Sequence, residues 1–187
     1  MPIVRVDELF SQNEIDHIEE AIANSDSSIH PELGRVQQSD IHHHFFPETI
    51  KKLTDLANSI SGLPLKMSNA MSVEYSLLYG LPTLPAHVDG DKNDLIINIQ
   101  LKSNTVWDMG LNLDTYRLDD NSALIFNANK EVHWRVHKEF KDGEYVRMLF
   151  VRFDNPENMS DYSYLPHHPD DEMFKEAKEF RNSLGGF

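Results

Sequence analysis

Apolar residues recur at helical spacing twice in the first third of the chain and at strand spacing beyond it. Ser11 and Glu14 stand in the S-x-x-E arrangement of a capping box ahead of "EIDHIEEAIAN", which predicts an amphipathic helix. Pro47 suits the first turn of a second helix, "PETIKKLTDLANSISG", which Gly62 ends. Ahead of the first helix, "VRVDELF" reads as a short edge strand and turn. Between the helices, "SDSSIHPELGRVQQSD" reads as a polar connection leading to "IHHHFF". From Lys66 the texture changes to short runs rich in Val, Ile, Leu, Tyr and Phe between turn formers: "MSVEYSLLYG", "DLIINIQL", "TVWDMGLNL", "TYRLDD", "SALIF", "VHWRVH" and "YVRMLFVRF". Strands this many, this short and this evenly spaced predict a sandwich or jelly roll. After them comes an irregular acidic connection, then one helix and a frayed end. The expectation is a single α+β domain with a mainly β core: helical support over 1–65, a jelly-roll core over 66–153 and an extension over 154–187.

Composition narrows the chemistry. A chain of 187 residues with 40% hydrophobic content can bury one real core. The net charge of -14 is spread along the chain and would repel nucleic-acid backbones and anionic membranes. With no apolar run of spanning length and no signal-like N-terminus, the expectation is a soluble cytoplasmic protein with neither nucleic acid nor membrane as partner. The absence of cysteine removes disulfides, thiolate ligands and cysteine nucleophiles, so a metal site would use histidine, carboxylate and water.

One stretch, "PAHVDGDKNDLIINIQL", invites that reading. His87 and Asp89 are two apart, so on extended backbone both side chains leave one face and can converge on one object. The strand that follows is apolar on one side, through Leu95, Ile97, Ile99 and Leu101. Its other side carries Ile96, Asn98 and Gln100, which implies an interior that is not purely hydrophobic. Taken alone the pair also fits a plain turn. Two histidines and one carboxylate on one face of a metal are the ligand set of non-heme Fe(II) oxygenases, and a second histidine lies downstream at His133 or His137, which share a strand face with Arg135. Arg147 shares parity with the apolar Leu149, Val151 and Phe153, so it should point inward. A buried guanidinium needs a carboxylate, supplied either by an acidic co-substrate or by one of the chain's own acidic side chains.

The order of these residues, HxD, then about forty residues, then His, then Arg in the last core strand, resembles the Fe(II)- and 2-oxoglutarate-dependent dioxygenase superfamily. "VDELFSQNEIDHIEEAI" and "YSLLYGLPTLPAHVDGD" are similar to the opening helix and the Tyr-containing strand and loop of its prolyl-4-hydroxylase-like branch, and the likeness runs from about Val4 to Phe153. The resemblance implies a double-stranded β-helix with Fe(II), 2-oxoglutarate and O2 as cofactor and co-substrates. It implies His87 and Asp89 as metal ligands, with His133 as the favoured third and His137 as the alternative. It further implies Arg147 on the distal 2-oxoglutarate carboxylate. Many relatives place Ser or Thr two residues after that arginine; here Leu149 stands there, so Tyr75, Tyr79, Asn98 or Gln100 must supply the second hydrogen bond. The implied reaction is hydroxylation of a C–H bond in a small molecule, amino acid or peptide, with succinate and CO2 as co-products. The rival readings are a non-catalytic jelly-roll binding protein and a cupin-type metalloenzyme without 2-oxoglutarate. Trp107, Trp134, Phe45 and Phe46 are candidates for the barrel mouth or for core.

Overall fold

The computed structural model describes residues 1–89, 94–156 and 172–183. Helix α1 (Gln12–Ala23) starts at the capping box: the Ser11 N–H donates to Glu14 Oε2 at 2.8 Å, and the Glu14 N–H donates to Ser11 Oγ at 3.4 Å. Helix α2 (Pro47–Ser61) opens on its proline and stops at Gly62, whose φ of 69° is the left-handed conformation glycine adopts without strain.

The β structure is two facing antiparallel sheets. The strands are β1 (Val4–Val6), β2 (Ser27–His30), β3 (Arg35–Gln38), β4 (Lys66–Ser76), β5 (Leu95–Ser103), β6 (Met109–Leu111), β7 (Asp114–Tyr116), β8 (Ser122–Phe126), β9 (His133–Arg135) and β10 (Tyr145–Asp154). The large sheet runs β1-β8-β5-β10-β4-β3-β2 and the small one β7-β6-β9. An isolated bridge between His87 and His133 adds the segment at 87 to the edge of β9. Together β4, the segment at 87 and β5 to β10 form a double-stranded β-helix, the jelly roll expected from the strand spacing.

The polar connection expected between the helices holds a hairpin instead. β2 and β3 pair with each other, and β3 pairs with β4 through Arg35 opposite Tyr75 and Val36 opposite Glu74. Of their eight residues only Val36 is buried, so an edge hairpin this exposed carries no apolar alternation to read. Residues 1–65 therefore contribute strands as well as helices. The acidic connection expected after Asn155 and the frayed end lie outside the described residues, apart from Pro156; the helix between them is α3 (Glu172–Ser183). Among the described residues no helix is long and apolar enough to cross a membrane.

Side-chain parity separates two buried layers. Leu95, Ile97, Ile99 and Leu101 of β5, Ile125 of β8 and Leu149, Val151 and Phe153 of β10 pack on Ile18 and Ile22 of α1 and Leu53 and Ala57 of α2. Burying each of the larger aliphatic side chains contributes about 1.5–3 kcal/mol. The opposite face of the same sheet turns into the barrel, where Ile96, Leu124, Phe126, Val146 and Met148 meet Trp107, Met109 and Leu111 from the small-sheet side. β9 divides its three side chains in the same way. His133 contacts Phe126 and Arg135 reaches Met148, both inside the barrel, whereas Trp134 faces outward against Phe180 of α3. The Trp134 ring lies flat over Gly110 of β6: a Cβ there would sit 1.9 Å from Trp134 Cε2, so only glycine fits beneath it.

Candidate metal centre

His87 and His133 lie directly opposite each other, exchanging backbone hydrogen bonds of 3.0 Å (His87 N–H to His133 O) and 2.9 Å (His133 N–H to His87 O). This registers their rings 4.2 Å apart, centroid to centroid. Asp89, two residues on, is pinned by its N–H donating to Ala128 O at 2.8 Å. One ligand-competent atom from each of the three side chains lies within 4.8 Å of the others.

The outer nitrogens of both rings are already committed. His87 Nδ1 lies 2.8 Å from Pro85 O and His133 Nδ1 lies 3.0 Å from Glu131 O. A carbonyl only accepts, so each Nδ1 carries the proton and each Nε2 presents a lone pair. Both Nε2 atoms face Asp89 Oδ1, at 3.7 Å from His87 and 3.5 Å from His133. Three acceptors converging with no proton among them repel one another unless a cation sits between them. Burial, followed by the neighbouring His133, pushes the His87 imidazole down to about 4, which keeps it neutral near pH 7. Burial acts to raise the Asp89 carboxyl, but its surroundings, the Arg152 cation among them, outweigh this and hold Asp89 below its ordinary value. Neutral imidazoles and one ionised carboxylate are what a divalent transition metal takes. Asp89 Oδ2 turns the other way, 3.5 Å from the Arg152 guanidinium.

These groups line a cavity of about 150 Å³ whose walls include Arg35, Tyr75, Asn98, Phe150 and Arg152. Tyr75 is 1% exposed and its hydroxyl accepts from Arg35 Nη1 at 3.4 Å. Asn98 donates through Nδ2 to Met109 Sδ at 3.3 Å, and its buried Oδ1 has no hydrogen-bond partner among the described residues. A larger depression of about 500 Å³, bordered by Asp26, Gln37 and His43, lies elsewhere and includes none of these groups.

The other candidates are placed elsewhere. Gln100 lies further along β5, with Nε2 donating to Leu118 O at 2.9 Å, and does not line the cavity. Tyr79 donates its hydroxyl to Glu74 Oε1 at 3.3 Å, outside the barrel. His137 lines a separate depression with Trp107, Asp108 and Lys138 and is not on the cavity wall. Arg147 is the main correction. Its parity with Leu149, Val151 and Phe153 is as expected, but that is the helix-packed face of the sheet rather than the barrel interior. There it pairs with Glu74 of β4, from Nε at 2.9 Å, and with Glu19 of α1. Trp107, Trp134 and Phe45 are buried core and Phe46 stacks on His17, so none of the four lines the cavity.

Arg135 is the residue whose significance the sequence pattern hid. Two past His133 on the same face, it is 2% exposed, donates to Trp107 O at 2.5 Å and to Met148 Sδ at 3.0 Å, and stacks 5.1 Å from the Trp107 ring. No carboxylate pairs with it among the described residues. Burial pushes this guanidinium down to about 10. The signal was present in the motif H-x-R, since strand parity carries any residue two past an inward ligand to the same interior.

No family model matches the sequence, and no curated protein matches it. Solved structures do match. The non-heme alpha-ketoglutarate-dependent epimerase SnoN from nogalamycin biosynthesis aligns with a TM-score of 0.64 over 81% of this chain and 78% of that one, at 15% identity. HygX from Streptomyces hygroscopicus, solved with nickel, 2-oxoglutarate and hygromycin B bound, aligns at 0.58 over 82% and 83%, at 9% identity. A prolyl-4-hydroxylase from Pseudomonas putida aligns at 0.54 over 82% and 92%, at 11% identity. At these identities the likeness is one of fold: the chain has the double-stranded β-helix shared by these enzymes.

Proposed function

We propose that the chain is an Fe(II)- and 2-oxoglutarate-dependent oxygenase acting on a small molecule, with C–H hydroxylation as its leading reaction. The observation that carries this reading is the convergence of His87 Nε2, His133 Nε2 and Asp89 Oδ1 with both Nδ1 protons committed outward. These three side chains would hold the metal on one face, leaving its other face toward the cavity. Arg152, on Asp89 Oδ2, keeps the carboxylate turned so that Oδ1 faces the imidazoles. Arg135, rather than Arg147, is the cation assigned to the distal carboxylate of the co-substrate: it is buried inside the barrel, and the Trp107 ring lies against both it and Tyr75 of the cavity wall. When bound, iron, 2-oxoglutarate and O2 supply the oxidant for the C–H bond, with succinate and CO2 as co-products. The protein's part is ligand geometry, orientation and a cavity walled by Met71, Ile96 and Phe150 that limits water.

The test is anaerobic addition of Fe(II) and 2-oxoglutarate to metal-stripped protein, followed by visible absorption. A weak charge-transfer band that is lost in Asp89→Ala is expected. A folded wild-type protein with no band would move the fold into the class of jelly-roll binding proteins or cupin-type enzymes without 2-oxoglutarate.

A further inference from the structure

We infer that the substrate carries an anionic group, a carboxylate or a phosphate, and that Arg35 receives it; this rests on the functional reading above. Arg35 lines the cavity wall, yet its hydrogen bonds are two long ones to neutral partners, Tyr75 Oη at 3.4 Å and Gln37 Oε1 at 3.3 Å. Its Nε is buried without a partner among the described residues. In a chain with 31 acidic against 17 basic residues, a guanidinium with no carboxylate partner among the described residues is uncommon, and Arg35 shares this with Arg135. Arg5, Arg117, Arg147 and Arg152 each pair with one, on Asp7, Asp108, Glu74 and Asp89 respectively.

The position of Arg35 is built rather than incidental. It opens β3, the strand added to β4 outside the double-stranded β-helix, so it stands at the rim while Arg135 projects into the interior from β9. The loop that delivers His87 is fastened to the same hairpin: Thr83 N–H donates to Leu33 O at 3.2 Å, and a Cβ on Gly34 would lie 2.3 Å from the Leu81 carbonyl carbon. Rim cation and metal ligands are thus held in one frame by backbone contacts.

Charge points the same way. Among the described residues the cavity wall contains a single carboxylate, Asp89, and Arg152 already faces it. A divalent metal, that aspartate and the two guanidinia of Arg35 and Arg152 leave the cavity positive. A dicarboxylate co-substrate offsets only part of this excess, and a second anion at the rim offsets more. Arg152 is engaged by Asp89 and Arg135 is assigned to the co-substrate, so Arg35 is the cation left for it.

The experiment uses the anaerobic Fe(II) and 2-oxoglutarate complex of wild type, Arg35→Gln and Arg35→Lys. The probes are free amino acids, N-acetylated amino acids and small phosphate esters, each with its neutral amide or alcohol counterpart. Saturable perturbation of the visible band is the readout. Anionic probes should act and their neutral counterparts should not. Arg35→Gln should weaken the response about tenfold or more, Arg35→Lys should restore part of it, and 2-oxoglutarate affinity should stay within about twofold. Whether carboxylates or phosphates act identifies the group. The inference is overturned if neutral and anionic probes act alike, if no anionic probe acts, if Arg35→Gln responds as wild type, or if Arg35→Gln loses 2-oxoglutarate itself. Absence of any band in wild type instead sinks the functional reading, and the inference falls with it.

Discussion

Arg147 on β10 and Glu74 on β4 sit directly across from each other and are joined by two hydrogen bonds, from Nε at 2.9 Å and from Nη2 at 2.5 Å. Glu19 of α1 completes the cluster, so this arginine clamps a helix to the sheet. All three side chains are at least seven-tenths covered, and removing the cation strands two carboxylates in that setting. Arg147→Met is expected to cost about 2–3 kcal/mol in urea unfolding, with part regained in the Arg147→Met, Glu74→Leu double variant. Its affinity for 2-oxoglutarate should match that of wild type. A large loss of that affinity in a folded variant would return Arg147 to the co-substrate site.

Arg135 should behave in the opposite way. A buried guanidinium with only a carbonyl and a thioether as partners costs stability until an anion arrives. Arg135→Met should therefore leave the ligand-free protein at least as stable as wild type, while raising the 2-oxoglutarate needed for half-saturation of the visible band by about tenfold to a hundredfold. Unchanged half-saturation would remove Arg135 from the site.

The two candidate distal histidines separate cleanly. His133 Nε2 is 3.5 Å from Asp89 Oδ1, whereas His137 lies with Val106, Asp108 and Lys138. Equilibrium dialysis of Fe(II) or Co(II) should show near-wild-type binding for His137→Ala and a loss of about tenfold to a hundredfold or more for His133→Ala, His87→Ala and Asp89→Ala. Tight binding by His133→Ala would refute the cluster as the metal centre.

Local signals were legible in the sequence wherever one residue type has one structural use. Ser11 with Glu14, Pro47 and Gly62 bound the helices, and the split of β5 into Leu95, Ile97, Ile99, Leu101 against Ile96, Asn98, Gln100 marks its two faces. Parity says which residues share a face but not which of two buried layers that face meets. In this fold both sides of the large sheet are covered, one by helices and one by the small sheet, so Arg147 could be placed on the apolar side and still not in the cavity. The β2–β3 hairpin escaped because its faces are mostly solvated, and Arg35 with it. Arg135 was legible only as sharing a face with His133; parity in the three-residue strand does not say how deep that face is buried or what the guanidinium meets there.

His42 offers a pH-dependent test of how the edge of β4 is covered. Beyond the end of β3, the 3₁₀ turn Ile41–His44 lies against that edge, and the Ala70 N–H donates to His42 Nδ1 at 3.3 Å. An Nδ1 that accepts must be unprotonated, so the contact requires the neutral ring. Burial, followed by the adjacent His43, lowers the His42 imidazole from its ordinary 6.5, with Asp40 opposing the shift. Below that ordinary value the unfolded chain binds a proton that the folded chain resists, so this stabilisation is complete above about pH 6.5 and is lost as pH falls through the lowered folded value. His42→Asn keeps an acceptor at the Nδ1 position without titrating. Unfolding of wild type and variant compared at pH 7.5 and 5.5 should show wild type losing up to about 1 kcal/mol more across the interval, the ring's partial exposure holding the difference to that size. Equal losses would mean that His42 does not hold the turn to β4 through this bond.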